Sequence, residues 1–558
     1  MRKPSSGAVP WVPDPSCRGG FVIRLRIHQI ALRLDYEKPD VVTAIARLLQ
    51  CRDDEIGDLK LLRRSIDARR KDAAPRFVLS AEVEYLGVSK PPLKPGRVEV
   101  AEVLAPLPPL PRALPRTHRP MVVGAGPAGL LAALTLAEAG AEPLLIERGS
   151  DVPVRGRQVE AFWTEGVLDP ECNVLYGEGG AGLFSDGKLT SRSKDRGAMH
   201  RLFQLLVECG APSDILIDAE PHLGSDLLAQ IIPTLRRRIG ELGGEVRFGK
   251  RLEDLHVEDG ALRGVTVSGD GIAVDTCFLA TGHSARDVYR LLANVGVPMV
   301  AKPFAVGVRV EMRQPRIDAA QYGRWATHPK LRHAGFRLTR KAEKGTRVCY
   351  SFCACPGGLV MACASSEGLL TTNGMSYSSR AKPFGNAAFL VPVGTDDYPA
   401  NRQHEPLRGI AYQEAMERAA FRAGGADYGL PAQPLADFLV GRETRELPDA
   451  RSCTRAAPAD LASLLPDEVA GTLRSALPKM LRELDGIRDE DILLYGVETR
   501  SSSPVRVLRN PETRQSVGVK GLYPIGEGSG YAGGIVSSAL DGMAAAMHEL
   551  SPSISDTI

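Results

Sequence analysis

Residues 21–28 alternate between apolar and polar positions, with Ile23, Leu25 and Ile27 on one face and Arg24, Arg26 and His28 on the other. That period of two predicts a half-buried strand. Asp40 is then placed to cap a helix in which Val41, Ile45, Leu48 and Leu49 recur at helical spacing. Two more strands are predicted, at 59–69 and through Phe77, Leu79, Ala81, Val83 and Tyr85. The order strand, helix, strand, strand predicts a small N-terminal α+β domain of ferredoxin-like type over 20–90. Residues 91–120 contain PPLKPG and APLPPLPRALP, and so many prolines can continue neither a helix nor a central strand, which predicts a semi-rigid linker. From 121 to about 290 strand-like and helix-like stretches alternate, the pattern of an α/β fold. Residues 300–360 read as strand-rich, since FAVGVRVEM and RVCYSFCAC both alternate, and 406–485 as mixed and more helical. The chain closes with a strand (GLYPIG), a Gly-rich turn and a helix of small residues over 534–550. There is no internal repeat.

At 558 residues the chain is too long for one core and implies two to four domains. The 43% hydrophobic and 25% charged fractions exclude collagen-like, disulfide-scaffold and disordered classes. The net charge of +3 gives no global pull toward nucleic acid or an acidic membrane. Residues 1–120, however, hold 22 Lys/Arg against 14 Asp/Glu, and the cluster Arg63, Arg64, Arg69, Arg70 and Lys71 could touch a polyanion or could be a solvated sheet face. Ten cysteines are sparse for this length, with Cys17, Cys51, Cys172 and Cys209 isolated, which fits a reducing compartment. The N-terminus has no apolar run of signal-peptide type, and the most apolar stretch, 121–146, is interrupted by Glu138, Glu142 and glycines; a cytoplasmic protein without a membrane span is expected.

The strongest chemical signal is Gly124-Ala-Gly126-Pro127-Ala128-Gly129, preceded by a buried strand and followed by an apolar helix, a second strand and Glu147, 18 residues past the third glycine. Gly124 permits the tight turn, Gly126 lets backbone approach a pyrophosphate, and Gly129 lets the helix pack on the strand. The helix N-terminus presents free N–H groups to phosphate. Glu147 would accept from ribose hydroxyls and disfavours a 2′-phosphate, so FAD or NAD is expected over NADP. A second glycine turn, Gly526-Glu527-Gly528 to Gly533-Gly534-Ile535, opens the last helix. It resembles the C-terminal flavin motif of glutathione-reductase-type FAD proteins, in which an acid binds the ribityl chain; Glu527 takes that place. Ala280-Thr281-Gly282-His283 resembles the strand-ending turn that runs past FAD in the same fold.

The runs 176–188 (YGEGGAGLFSDGK), 280–287 (ATGHSARD), 351–358 (SFCACPGG), 373–376 (NGMS), 498–506 (ETRSSSPVR) and, near the front, 64–69 (RSIDAR) are similar to those of the bacterial FAD-dependent dehydrogenases, also described as NAD(FAD)-utilising dehydrogenases. The resemblance spans about 20–548 and departs at 451–458 (RSCTRAAP), where a Ser-Tyr-x-Pro-Gly-like turn would be expected. It implies FAD and an oxidoreductase, and brings no substrate. By position it implies that Gly179–Gly182 form a second loop beside the flavin, Gly180 and Gly182 being counted among the cofactor-binding residues, with Ser185, Asp186 and Lys188 near the ring or diphosphate. Arg148 and Leu252 are placed with the cofactor-binding residues. Asp186 and Lys188 could equally form a loop ion pair. His283 could exchange a proton beside the flavin or be a hydrogen-bonded structural histidine. Arg500 and Arg506 could clamp a substrate carboxylate or the pyrophosphate, or form structural ion pairs. His283, Lys188 and Arg500 are the catalytic candidates.

Cys349, Cys353, Cys355 and Cys363 fall within 15 residues. In a regular strand Cys353 and Cys355 would share a face with Cα atoms ~6.6–6.8 Å apart, at the far edge of disulfide geometry. Buried apolar residues, a thiol near the flavin and a metal ligand set are all left open, although the CxxC spacing of zinc and iron–sulfur sites is absent. No metal is expected. No second GxGxxG unit is found, so NAD(P)H, if used, would dock transiently.

The expected architecture is thus α/β: a Rossmann-like, glutathione-reductase-type FAD-binding domain over 121–299 and 496–550, an inserted mixed α+β substrate domain over 300–495, and the small N-terminal domain. The expected function is hydride transfer between a small organic substrate and flavin N5. The alternatives are a flavoprotein acting on nucleic acid, of tRNA-modifying type, and a non-enzymatic flavin electron carrier.

Overall fold

The computed structural model describes residues 22–70, 72–101, 110–191, 193–399 and 405–551. Cys17, Lys71 and the middle of the proline-rich segment lie outside these residues. The chain divides into two units, one made of residues up to 107 with 213–220 and 322–332, the other of the remainder.

In the first unit come β1 (Ile23–Arg33), α1 (Lys38–Leu49), β2 (Ile56–Asp67), β3 (Arg76–Tyr85) and β4 (Val98–Val100). The sheet order is β2-β3-β1-β4, antiparallel throughout. This is the ferredoxin-like strand order with one helix: among the described residues none lies between β3 and β4, where Pro91, Pro92 and Pro95 prevent it. β4 itself lies within the segment expected to be linker. The alternation in β1 is broken by a bulge at Gln29 (φ 58°), which moves the inward set from Leu25 and Ile27 to Ile30. Val41, Ile45, Ala46 and Leu49 of α1 complete the core over Leu79, Ala81 and Val83. Asp40 is not the cap: Glu37 is, and Asp40 accepts from the Glu37 N–H at 2.9 Å. Arg64 reaches Asp218 and Asp214, both at 2.8 Å, Arg69 pairs with Asp67 and Arg70 with Asp72, so these three members of the basic cluster face carboxylates.

In the second unit come β5 (Met121–Val123), α2 (Pro127–Glu138), β6 (Leu144–Ile146), β7 (Glu245–Arg247), β8 (Cys277–Leu279), β9 (Phe304–Arg313), β10 (Cys349–Cys363), β11 (Phe384–Val393), α3 (Arg408–Ala423), β12 (Leu493–Glu498), β13 (Leu522–Pro524) and α4 (Ile535–Leu550). A parallel sheet runs β13-β8-β5-β6-β7, so the chain's last strand joins its first Rossmann unit. α2, apolar on every side, is buried from Ala128 to Ala137. A larger, mainly antiparallel sheet holds β10, β11, β9 and β12 as neighbours. β9, whose sequence alternates, is buried on both faces up to Met312, including Arg309 and Glu311. β12 runs through position 496, where the FAD-binding domain was expected to resume. Ala456–Pro458, inside the divergent 451–458 run, adds a short parallel strand to this sheet. Among the described residues no helix is long and apolar enough to cross a membrane.

Candidate functional site

The two glycine turns meet. Gly126 caps α2 and Gly534 caps α4, and small residues let the two helices touch. A Cβ on Gly542 would stand 2.1 Å from the Ala128 carbonyl oxygen, and one on Gly526 2.7 Å from the Ala128 Cβ. The loop after β8 passes through the same place: a Cβ on Gly124 (φ 103°) would meet the Ala280 carbonyl oxygen at 2.6 Å and Thr281 Cα at 3.3 Å. A Cβ on Gly528 would meet the Gly282 oxygen at 2.6 Å. The 180–182 turn closes one side, with Gly182 against Ile535 and Pro127 and Gly180 against Gly126.

Other glycines face open space. Beside a Cβ on Gly126 there is only Gly180 Cα, at 3.9 Å; beside Gly533 only a Glu527 oxygen, at 4.0 Å; beside Gly282 and Gly534 nothing within 4 Å. The result is a cradle walled by backbone, with two helix N-termini opening on it. Its donor set of free N–H groups and glycines suits a diphosphate and a flat ring. The residues present therefore fit FAD.

The remaining expected cofactor residues divide. Glu147 accepts from the Ala125 N–H at 2.7 Å and from those of Gly149 and Gly177 at 3.0 Å. Three of its roughly four acceptor sites thus tie the phosphate turn to its neighbours, leaving about one for a ribose hydroxyl. Arg148 lies over the Tyr176 ring and is held by Glu171 and, through two hydrogen bonds, by Asp287. Leu252 is buried in the core cluster beside the parallel sheet. Ser185 binds its own turn, accepting from Gly187 N–H and donating to the Gly182 carbonyl. Asp186, 1% exposed, pairs with Arg380 rather than chiefly with Lys188 and accepts from Ser376; Lys188 Nζ lies 3.8 Å away and donates to the Ala354 carbonyl.

Of the three catalytic candidates, His283 is in the cradle. Its Nε2 lies 3.9 Å from Glu527 Oε1, and its Nδ1 is buried with no partner. Burial, with Arg500, Arg286 and Lys302 nearby, pushes its pKa down to about 3, so the ring is neutral at physiological pH. Burial pushes Glu527 up to about 7, against a hydrogen bond from Gly534 N–H and the charge of Lys302.

Arg500, read from the sequence either as a clamp or as a structural ion pair, is engaged by protein groups. It grips Glu417 of α3 through Nε (3.0 Å) and Nη2 (2.8 Å), with Nη1 on Ser365. Arg286 takes the other edge of the same carboxylate through two 2.8 Å bonds. Burial opposes the charge on Glu417, yet the two guanidiniums hold its carboxyl well below the ordinary range. Arg506 lies over the Tyr531 ring with its Nε buried and unpartnered.

Glu417 was missed in the sequence because it is a single charged residue in an ordinary helical stretch, and Arg286 because nothing in the 280–287 run set it apart from its neighbours. Arg309, fully buried and clamped by Glu498, left a signal: a charge inside the apolar run FAVGVRVEM.

Comparisons with known proteins agree in class. Residues 303–501 match a "FAD-dependent protein, C-terminal domain-like" family, 122–171 an NAD(P)-binding Rossmann-like domain, and 24–84 a domain of unknown function. An uncharacterized protein of Clostridium beijerinckii is 41% identical over 529 residues, covering 94% of this chain and 98% of that protein. Protein FixC of Escherichia coli is 28% identical over 206 residues, 35% of this chain and 43% of FixC. Among solved structures, L-proline dehydrogenase from P. horikoshii is similar with a TM-score of 0.31 at 12% identity, over 78% of this chain and 94% of that one. CtdE in complex with FAD gives 0.29 at 12% identity, over 77% and 82%. Structural likenesses this weak say nothing about activity.

Proposed function

We infer the function from one premise: this chain belongs to one family with the clostridial protein, and its own FAD-dependent C-terminal-domain and Rossmann-like matches make it a FAD-dependent oxidoreductase. On that premise we propose that it is a dehydrogenase of glutathione-reductase type, passing hydride between a small organic substrate and the flavin. The observation that carries the reading is the junction of the Gly124–Gly129 and Gly526–Gly534 turns across Ala128, which points two helix N-termini into one cradle.

When bound, FAD supplies a two-electron hydride acceptor at N5. The protein's part is binding, orientation and proton handling. Gly126 and the free N–H groups at the start of α2 would hold the diphosphate, and the start of α4 would favour negative charge on the bound group. Glu527, poised near pH 7, can take or release a proton at Oε1, next to the neutral His283. His283 then orients rather than protonates, with Nδ1 free to meet a substrate. Burial and the field of the buried charged cluster of Arg286, Glu417 and Arg500 keep the ring neutral.

Anaerobic stopped-flow mixing with NADH, NADPH and a panel of amino and hydroxy acids tests this. Bleaching near ~450 nm by one of them is expected. Reduction by NADH or NADPH would make nicotinamide a transient donor; reduction by dithionite alone would favour an electron carrier over a dehydrogenase.

A further inference from the structure

β10 carries a feature that the dehydrogenase reading does not use. Its pairing with β11 slips between Phe352 and Cys355 and again between Cys355 and Gly358. At the first slip Cys353 adopts φ 45°, the left-handed region that a residue bearing a Cβ rarely enters. A regular strand would hold the Cys353 and Cys355 Cα atoms ~6.6–6.8 Å apart with no contact between thiols. The bulge instead turns Cys355 Sγ to 3.5 Å from the Cys353 carbonyl oxygen, and the two thiols push each other's pKa values in opposite directions.

The surroundings are built for a thiolate. Arg309 Nη1 lies 3.9 Å from Cys355 Sγ and 3.4 Å from the Cys353 oxygen, and Lys188 Nζ binds the carbonyl of Ala354 between them. Asp186 is the opposing charge, itself held by Arg380. Cys353 is half-buried while Cys355 is fully buried, and the charge of Cys353 bears on Glu527 of the flavin turn. The Cys355 hydrogen bond, with Lys188 and Arg309, lowers the Cys353 pKa against its burial, while that of Cys355 is raised. Cys349 and Cys363, in the same strand, are pushed up to about 12 by burial and lie in plain core.

We propose that Cys353 and Cys355 form a dithiol–disulfide couple that exchanges two electrons with the FAD held in the adjoining cradle. This couple rests on the FAD reading of the cradle. In the reductive direction the Cys353–Cys355 S–S bond accepts one hydride equivalent from two-electron-reduced FAD. The S–S bond breaks, Cys355 leaves as the thiol carrying the hydrogen and Cys353 as the thiolate, and FAD is left oxidised. Atoms and electrons balance with no further reactant. The reverse step stores a pair of electrons in FAD.

Two measurements test it on the full chain. In the first, the protein is treated with diamide or with a reductant, alkylated after denaturation, and digested. Fragmentation should place a loss of about 2 Da and protection from alkylation on Cys353 and Cys355 of the oxidised sample, with Cys349 and Cys363 alkylated throughout. Cys353→Ala and Cys355→Ala should each abolish the signal. Alkylation of both thiols after diamide, or a mass loss mapped to another pair, overturns the couple whether or not flavin is present.

In the second, anaerobic dithionite titration of the oxidised holoprotein should consume about four electrons per FAD, and about two in either alanine variant. About two in the wild type overturns the couple alone. A protein that shows no flavin absorbance overturns the FAD reading, and the exchange with it, by a separate observation.

Discussion

Replacing Glu417 with glutamine (Glu417→Gln) keeps the shape of the side chain and removes its charge. In the structure that carboxylate is fully buried and accepts two hydrogen bonds from Arg286, two from Arg500 and one, at 2.8 Å, from Thr499 Oγ1. The two guanidinium side chains are only 4% and 6% exposed, so neither can turn to water when its counter-ion is lost. Breaking one partner of a buried ion pair costs about 3–5 kcal/mol, mostly because the charge left behind is uncompensated. Unfolding entropy of ~2 cal/mol/K per residue, over a second unit of roughly 430 residues, converts this to a fall in melting temperature of about 3–6 °C. Differential scanning calorimetry of the holoprotein reads it. A shift below about 1 °C would refute the claim that Glu417 neutralises a buried cation pair. The companion variant Arg500→Met separates the two roles considered for Arg500: a clamp on substrate raises KM in a protein that melts normally, whereas a structural partner of Glu417 lowers the melting temperature and leaves KM alone.

Further outcomes are expected. His283, with its folded pKa near 3 against an ordinary value near 6.5, gives stability that is present above pH ~6.5 and lost as pH falls toward 3, at up to about 1.4 kcal/mol per pH unit; His283→Gln should flatten that acid limb in urea melts taken at successive pH values. Glu527 has the opposite sign: its raised pKa gives stability that is present below ~4.5 and lost as pH rises through about 7, so Glu527→Gln should be relatively more stable than wild type at pH 8 than at pH 5, by the same melts. Gly126→Ala, whose Cβ enters open space, should fold normally yet hold flavin at least ~10-fold more weakly, since a methyl occupies the diphosphate approach. Gly129→Ala, whose Cβ would stand 1.8 Å from the Gly124 carbonyl oxygen, should lose both flavin and stability; equal behaviour of the two in flavin fluorescence and melting assays would contradict the assignment of separate jobs to these glycines.

The parts of the molecule that were legible in sequence are those governed by local pattern. Strand, helix and strand at 121–146 appear as β5, α2 and β6, and the two glycine turns converge although about 400 residues separate them. What escaped depends on partners far away in the chain. The bulges at Gln29 and Cys353 each insert one residue, and an alternation pattern cannot reveal a register slip whose cause lies on the neighbouring strand. The buried charge Glu417 looks like a surface residue until Arg286 is brought to it, and the partners that fix Arg309 and Asp186, Glu498 and Arg380, lie 189 and 194 positions away in the chain. The same holds for 213–220 and 322–332, which join the N-terminal unit through contacts such as Arg64 with Asp218, Arg332 with Asp218 and His328 with Asp35. Arg500 shows the limit of reading a cation as a ligand-binding group: the residue that decides its role is Glu417, 83 positions away.

The central claim is that the turns at 124–129 and 526–534 enclose one FAD. It is tested most directly by the visible spectrum of the purified protein, followed by heat release and chromatographic identification of the cofactor. An absorbance band near ~450 nm and about one FAD released per chain are expected, with the band weakened in Gly126→Ala. A protein that stays colourless after incubation with excess FAD, or that releases a different nucleotide, would contradict it.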